Sequence, residues 1–462
     1  MTSELANIKY VYLLGVGGIG MSALARYFHA SGKIVAGYDK TVTPLTSQLE
    51  KEGIAIHYDD SIELIPSAII NSENKSEVLV ILTPAIPKEH HEWNYLAQNN
   101  FNIVKRSKVL GLLTGGQTTL AVAGTHGKTT TSTLLAHILH SAGKNTSAFL
   151  GGISSNFKSN LLIGQPNDKD HCIVVEADEF DRSFLQLFPD IAIITSMDPD
   201  HLDIYGNIDE MQHNYRLFAG QVKEDGVLIY KKGLPIGEVK SKSLSYSIET
   251  NDCDFAGLNI RVENGFYHFD FMSADKTIND LVLGLPGRHN VENAVAASAV
   301  ALISGVSEDQ LRAALKSFTG AQRRFEIHVR NENNVYVDDY AHHPTELNVA
   351  ILSAKELFPT KKITGVFQPH LFTRTRDFVD GFAESLSLLD SLIMLDIYPA
   401  RELPIPGITS QKILEKVTIS DKILVKKEDL LAEIKHRNPE VIMTLGAGDI
   451  DQFVEPIKHL LN

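Results

Sequence analysis

The sequence predicts an α/β protein of three domains: two Rossmann-like units either side of a central unit of P-loop type that ends in a small antiparallel patch. Three observations carry this. The chain has 462 residues, too many for one hydrophobic core and enough for about three. Short β-rich runs alternate with helical stretches along most of it, the pattern of parallel sheets with helices on their faces. Two glycine-rich turns, at 15–20 and 124–127, each stand between an apolar run and a helix start. There, free backbone N–H groups and the helix dipole favour an anion.

Composition narrows the class further. A formal charge of −14 leaves no basic excess for a phosphate backbone and argues against a nucleic-acid binder. Two cysteines, Cys172 and Cys253, give no disulfide framework and suit a reducing compartment. The opening M-T-S-E-L-A-N-I-K-Y has no basic region followed by an apolar one, so no signal peptide is expected. The small apolar stretch Ala294–Ile303 is too short to cross a bilayer and reads as a buried helix. A cytoplasmic location with no membrane span is the expectation.

In the first unit, the run Lys9–Leu14 leads into Gly15-Val16-Gly17-Gly18-Ile19-Gly20, then a helix Met21–Ala30 and a strand Ile34–Tyr38 ending at Asp39. This is G-x-G-x-x-G between strand and helix with an acid about 20 residues on, the fingerprint of a phosphate-bearing ligand with a ribose-like hydroxyl pair. NAD and a UDP-sugar fit it equally. A further strand, Val78–Leu82, delivers Thr83 at its carboxyl end, and Arg106 lies near the end of the unit. The boundaries drawn are 1–108, 109–321 and 322–462.

The second unit carries G-T-H-G-K-T-T-T. Leu120–Ala123 reads as a strand, Gly124, Thr125, His126 and Gly127 as a tight turn, and Lys128, Thr129 and Thr130 as the start of a helix. Its apolar residues Leu134, Leu135, Ile138 and Leu139 fall on one side. Lys128 is placed to reach the outer phosphates of a nucleotide and the Thr129 hydroxyl to hold Mg²⁺. The strict Walker pattern fails, because its first glycine falls on Val122. Strands Cys172–Val175 and Ile191–Thr195 deliver Glu176, and then Asp198, Asp200 and His201, to the strand ends. Oxygen donors beside phosphates are what Mg²⁺ requires. Alternating residues either side of Glu263-Asn264-Gly265 signal a hairpin.

The third unit opens at Arg323-Arg324-Phe325-Glu326. Its strands, Val335–Asp338, Ile363–Phe367, Leu392–Leu395, Ile423–Val425 and Val441–Leu445, predict a mostly parallel sheet. Strand-end loops bear Asp339, Tyr340, His342 and His343, then His370, Arg374 and Arg376, then Gly446-Ala447-Gly448-Asp449.

Taken together, G-V-G-G-I-G-M-S, G-T-H-G-K-T-T-T, E-A-D-E-F-D-R-S-F-L, H-N-V-E-N-A, R-R-F-E, D-D-Y-A-H-H-P-T-E, F-Q-P-H-L-F-T-R-T-R-D and G-A-G-D-I resemble the Mur ligase family, in order and over nearly the whole chain. The resemblance implies a UDP-binding first domain, an ATP-binding second and a ligase third that swings in to complete the site. It implies ATP-driven joining of L-alanine to the carboxylate of UDP-N-acetylmuramate through an acyl phosphate, with Mg²⁺ as cofactor and only small molecules as partners. By the same resemblance Gly15, Gly17, Gly18, Ile19, Gly20, Asp39, Thr83, Arg106 and Tyr340 hold the UDP-sugar. Gly124 to Thr130, Asn293, Arg324 and Asp339 hold ATP, and Thr129, Glu176 and His201 hold metal. Lys128, Glu176, His201, His342, His343 and Arg374 carry the chemistry.

Two departures stand out. Leu371 occupies a position that is arginine in many relatives. No lysine lies between His201 and Lys223, where sister ligases carry a carbamylated one, so the second metal is expected on acids and water. The alternatives are a ligase of the same family that attaches a tripeptide instead of alanine, and an NAD-dependent dehydrogenase built on the first glycine loop. The Y-P-A-R-E-L-P-I-P-G stretch at 398–407 favours the alanine enzyme.

Overall fold

The computed structural model describes residues 3–165, 168, 170–200, 202–400 and 402–462. By internal contacts the chain forms two compact units. One comprises 1–257, 271–278 and 293–315, and the other 258–270, 279–292 and 316–462.

The first unit contains a five-stranded sheet of β1 (Tyr10–Leu14), β2 (Ile34–Tyr38), β3 (Ala55–His57), β4 (Val78–Leu82) and β5 (Asn102–Lys105). All its pairs are parallel, in the order β3-β2-β1-β4-β5. That order reverses direction between β1 and β4, and such switch points are where open α/β sheets bind ligands. Val11 to Leu14 are wholly buried, which explains their poor alternation in sequence: helices cover both faces.

A second sheet is centred on β6 (Thr118–Ala123). Its other strands are β7 (Thr146–Ser154), β8 (Ser159–Leu162), β9 (Cys172–Glu176), β10 (Ile191–Ile194), β11 (Val227–Lys231), β12 (Lys242–Ser247), β13 (Phe255–Glu263), β14 (Phe266–Ser273) and β15 (Thr277–Leu283). The order is β15-β14-β13-β12-β11-β10-β6-β9-β7-β8. The expected hairpin turn is present, with Asn264 and Gly265 at φ of 53° and 78°, the left-handed pair a two-residue turn requires. The strand β15 had no alternating signal, since Asn279 and Asp280 interrupt its apolar residues.

The helix Lys128–Ser141 is buried from Thr129 through Leu139 on every side, so the face opposite Leu134, Leu135, Ile138 and Leu139 is covered as well. Its threonines and Ser132 face protein as fully as its leucines, and Ser132 Oγ satisfies itself on the Thr129 carbonyl at 3.2 Å. A buried serine can return its hydroxyl to the backbone one turn back, as Ser132 does, whereas the Thr131 and Thr133 hydroxyls are buried without a hydrogen-bond partner among the described residues.

The five-stranded sheet and the β6–β11 part of the second sheet share a core within this unit. The helix Ile19–Ala30 packs on β7 and β8, and Asn160, fully buried, fixes the contact. It donates to the Ile19 carbonyl at 2.6 Å and Ser22 Oγ at 2.8 Å, and accepts from Arg26 Nη1 at 2.5 Å.

Beneath the first sheet lies a buried polar cluster. Glu92 is wholly buried and accepts from the Tyr12 hydroxyl at 2.5 Å and the Ser61 N–H at 3.1 Å. Burial pushes its carboxyl up to about 7. An acid that holds its proton longer when folded destabilises the fold as pH rises from the ordinary carboxylate range through that value. Thermal unfolding between pH 5 and 8 tests this. Relative to the parent, Glu92→Gln should gain about 2 kcal/mol over that range.

In the second unit the sheet order is β16-β17-β21-β18-β19-β20, with β16 (Glu326–Arg330), β17 (Val335–Asp339), β18 (Ile363–Phe367), β19 (Ser391–Met394), β20 (Lys422–Leu424) and β21 (Val441–Leu445). Only β16 runs antiparallel, against β17. The mostly parallel sheet is as expected, with β16 added at the edge. Among the described residues no helix is long and apolar enough to cross a membrane.

Candidate active site

Sheet register builds the phosphate cradle. Parallel pairing sets Glu176 on β9 opposite Val122, and Ile194 on β10 opposite Ala123. The turn after β6 is thus flanked by the ends of both neighbouring strands. Gly124 sits at φ 134°, and a Cβ there would fall 2.0 Å from Thr195 Oγ1, so only glycine fits. Thr195 Oγ1 donates to the Ala123 carbonyl at 3.1 Å and the His126 carbonyl at 2.5 Å. Ser196 Oγ accepts from the His126 N–H at 2.8 Å. Gly127, at φ 82°, opens the helix, and its missing side chain leaves room for Asn293, whose Oδ1 lies 2.6 Å from where a Cβ would stand. Asn293 thus joins the cradle from a distant part of the chain, and Thr129 and Thr130 are buried beneath it. Thr195 and Ser196 escaped sequence reasoning, which looked for acids at that strand end and passed over hydroxyls.

Lys128 is held back in this loop. Its Nζ donates to the Gly124 carbonyl at 2.6 Å and the Thr125 carbonyl at 3.3 Å, and pairs with both oxygens of Glu179 at 2.8 and 2.7 Å. Burial opposes the lysine's charge, yet Glu179, Asp178 and Glu176 around it raise its affinity for the proton. Burial pushes the Glu179 carboxyl upward, and Lys128 beside it pulls the other way and favours its charge. Glu176 accepts from the Gly151 N–H at 3.1 Å, a close approach that again needs a glycine, since a Cβ on Gly151 would sit 2.1 Å from Glu176 Oε1. His201 lies outside the described residues. Among those described, no three His, Cys, Asp or Glu side chains form a metal cluster. Thr129 and Glu176 offer a hydroxyl and a carboxylate, the hard oxygen donors that suit Mg²⁺.

The glycine loop after β1 gathers its predicted partners. Gly15, at φ 88°, packs against Thr83, whose Cγ2 would lie 2.5 Å from a Cβ there. Gly17 donates to Asp39 Oδ2 at 2.8 Å, and Asp39 Oδ1 accepts from the Thr41 N–H at 3.2 Å. The acid read as a ribose ligand therefore also staples the loop it follows. Gly18 donates to the Gly15 carbonyl at 3.3 Å, and the Ile19 carbonyl is taken by Asn160. A Cβ on Gly20 would meet Arg106 Nη1 at 2.2 Å. Arg106 in turn pairs with Asp178 at 3.2 Å, and Lys105 with Asp181 at 3.0 Å. The acidic loop after β9 thus reaches Lys128 at one glycine turn and Arg106 beside the other.

In the second unit the named residues collect at the carboxyl ends of three adjacent strands. Asp339, at the end of β17, accepts from the Phe325 N–H at 2.7 Å and the Ala341 N–H at 2.8 Å. Burial pushes its carboxyl up to about 6, against the pull of Arg324. Arg323 and Arg324 both lie 5.2 Å over the Tyr340 ring, and Arg323 pairs with Asp338 at 3.0 Å. His342 Nδ1 stands 3.0 Å from the Tyr340 carbonyl and 3.2 Å from Glu346. Its ring meets that of His370, which stacks on Tyr398. His343 caps the helix Pro344–Leu357 and packs against Phe378. Arg374 lies in the first turn of the helix Phe372–Leu386, and the preceding Leu371 sits at φ 68°. Glu402 closes that helix start by accepting from the Thr373 N–H and hydroxyl at 3.0 and 2.5 Å. Gln368 ties β18 to β21, donating to Asp449 and accepting from the Ile450 N–H. Neither Glu402 nor Gln368 was singled out from sequence, although both stand in quoted motifs.

Comparison with known proteins agrees with this fold. Three family models match in succession: the Mur ligase family catalytic domain over residues 10–118, the Mur ligase middle domain over 122–301 and the Mur ligase glutamate ligase domain over 323–448. Curated relatives named UDP-N-acetylmuramate–L-alanine ligase include one from Christiangramia forsetii, 49% identical, and one from Flavobacterium johnsoniae, 50% identical. Each match covers 99% of both chains. Among solved structures, the UDP-N-acetylmuramate-alanine ligase of Thermotoga maritima superposes with a TM-score of 0.80 at 26% identity, covering 97% of this chain and 99% of that one. A murein peptide ligase from Psychrobacter arcticus shares the fold at a TM-score of 0.72 and 23% identity, covering 98% of each. With its three α/β sheets, two glycine cradles and full-length likeness to these enzymes, the chain belongs to the Mur ligase family.

Proposed function

We propose that the protein joins L-alanine to the lactoyl carboxylate of UDP-N-acetylmuramate using ATP, giving UDP-N-acetylmuramoyl-L-alanine, ADP and phosphate for peptidoglycan synthesis. The observation that carries this is near-half identity to alanine-adding ligases across 99% of both chains. We assign residues 1–108 to the UDP-sugar, 109–321 to ATP and 322–462 to the ligase step, and place the reaction in the cytoplasm.

The chemistry asks for what these residues offer. A carboxylate resists an amine at neutral pH until one of its oxygens becomes a leaving group. Its oxygen therefore attacks the γ-phosphorus of ATP, ADP departs, and an acyl phosphate forms. The alanine amine then adds to the acyl carbon, loses a proton and expels phosphate. Phosphoryl transfer needs positioning and charge neutralisation more than covalent help. In our reading the amides of Gly124 to Thr130 cradle the phosphates and Lys128 meets the outer ones. Asn293 serves the adenine, Arg324 the phosphates and Asp339 the ribose. Thr129 and Glu176, with His201, would hold Mg²⁺, which supplies further charge neutralisation at the phosphates. Gly15, Gly17, Gly18, Ile19, Gly20, Asp39, Thr83, Arg106 and Tyr340 serve the UDP-sugar. His342, His343 and Arg374 serve the acyl phosphate and the incoming alanine.

Product formation from UDP-N-acetylmuramate, ATP and Mg²⁺ with a panel of amino acids tests the proposal. L-Alanine should be the preferred acceptor. Activity confined to L-Ala-γ-D-Glu-diaminopimelate would overturn it in favour of a tripeptide-adding ligase.

A further inference from the structure

The acidic loop after β9 holds a carboxylate that the mechanism above does not use. Glu179 is 1% exposed, and its partner is the phosphate lysine. An ammonium has three N–H donors and no more. On Lys128 they are engaged by the Gly124 carbonyl, the Thr125 carbonyl and Glu179. A phosphate oxygen reaching Lys128 must therefore displace one of these acceptors. The two carbonyls belong to the loop that wraps the phosphates. Glu179 is the anionic acceptor, and leaving it on the same ammonium would set two anions side by side in a buried site.

The backbone decides which partner moves. The Glu179 carbonyl accepts from the Tyr205 hydroxyl at 2.5 Å and from the Arg182 N–H at 2.9 Å. Its neighbour Asp178 is tied to Arg106 and accepts from the Phe180 N–H at 3.0 Å. Asp181 and Arg182 turn the chain at φ of 51° and 54°. The glutamate is anchored from both sides, whereas the lysine hangs on four rotatable methylenes.

We propose that Glu179 is a positioning residue that latches Lys128 onto the floor of the loop until nucleotide phosphates take the lysine from it. Glu179 thereby sets the affinity for nucleotide without touching it. This rests on the reading that Lys128 binds phosphate, and the tests separate the two. In calorimetric titrations with Mg-ADP and Mg-ATP, Glu179→Gln should bind both at least about fivefold more tightly, because the binding-competent lysine is more populated. Glu179→Asp, which keeps the charge, should stay within about twofold of the parent. In a Lys128→Met background the Glu179→Gln gain should vanish, to under about twofold. A carboxylate that merely supported the fold would weaken binding when replaced, in either background.

If Lys128→Met binds nucleotide as tightly as the parent, the phosphate role of the lysine fails. If Lys128→Met loses binding while folded Glu179→Gln equals the parent or binds more weakly, the latch alone fails. Crystal structures of the parent with and without Mg-ADP need no variant to fold. The lysine ammonium should stand more than about 4 Å from both Glu179 oxygens, beyond ion-pair distance, when the nucleotide is present. An ion pair retained on both glutamate oxygens in the bound form would overturn the proposal.

Discussion

Replacing Lys128 with methionine should lower turnover by about three orders of magnitude or more while leaving UDP-N-acetylmuramate binding within about twofold of the parent. The lysine is the cation at the cradle that β6 and the helix Lys128–Ser141 build, and its charge is preserved by the carboxylates around it. Methionine keeps the length and apolar body of the side chain and removes only the ammonium. The sugar-nucleotide cradle belongs to another sheet, held by Asp39 on Gly17 and by Arg106 beside Gly20, and none of those contacts involves Lys128. Steady-state rates, with calorimetry for the sugar nucleotide, check both halves. Turnover within tenfold of the parent contradicts the assignment.

Glu176→Gln should lower turnover by about two orders of magnitude and shift the Mg²⁺ requirement to higher concentration. The amide still accepts from the Gly151 N–H, so the end of β9 keeps its shape. Only the negative charge opposite Val122 is lost. A neutral amide oxygen is a weaker partner for a hard divalent cation than a carboxylate. Rates measured over a Mg²⁺ series separate loss of metal affinity from loss of fold. An unchanged Mg²⁺ dependence with reduced turnover contradicts the metal role.

Sheet cores and ligand loops were readable because parallel strands announce themselves. Ile34–Tyr38, Val78–Leu82, Ile363–Phe367 and Val441–Leu445 are continuous apolar or small runs bounded by turn residues, and all four form strands at those limits. The Asn264-Gly265 turn was equally explicit. What escaped the sequence depends on long-range pairing. β16 is a half-buried edge strand; Glu326-Ile327-His328-Val329-Arg330 does alternate, but the run holds only two apolar residues and directly follows the Arg323-Arg324-Phe325 turn, so it was passed over. The even burial of the helix Lys128–Ser141 reflects its packing on β6, β7 and β9, a long-range arrangement that no periodicity reveals.

Partnerships were legible only as residue types. The Glu179–Lys128 pair spans 51 positions and the Arg106–Asp178 pair 72. The quoted E-A-D-E-F-D-R stretch displays its acids, but which of them meets which cation is settled by the turn at Asp181 and Arg182, and nothing local predicts its left-handed backbone. Asn293 meets Gly127 across a still larger gap, for the same reason. Asp39 is the instructive middle case. Its position in the fingerprint was evident, whereas its grip on the Gly17 N–H emerged only with the fold.

Oxygen transfer tests the central claim most directly. UDP-N-acetylmuramate labelled with ¹⁸O in its lactoyl carboxylate is turned over with ATP and L-alanine, and the released phosphate is weighed by mass spectrometry. An acyl phosphate requires one carboxylate oxygen to leave with the phosphorus, so each phosphate should carry a single ¹⁸O and ADP none. Unlabelled phosphate, with the heavy oxygen that leaves the carboxylate found in water or in a nucleotide instead, would contradict the account.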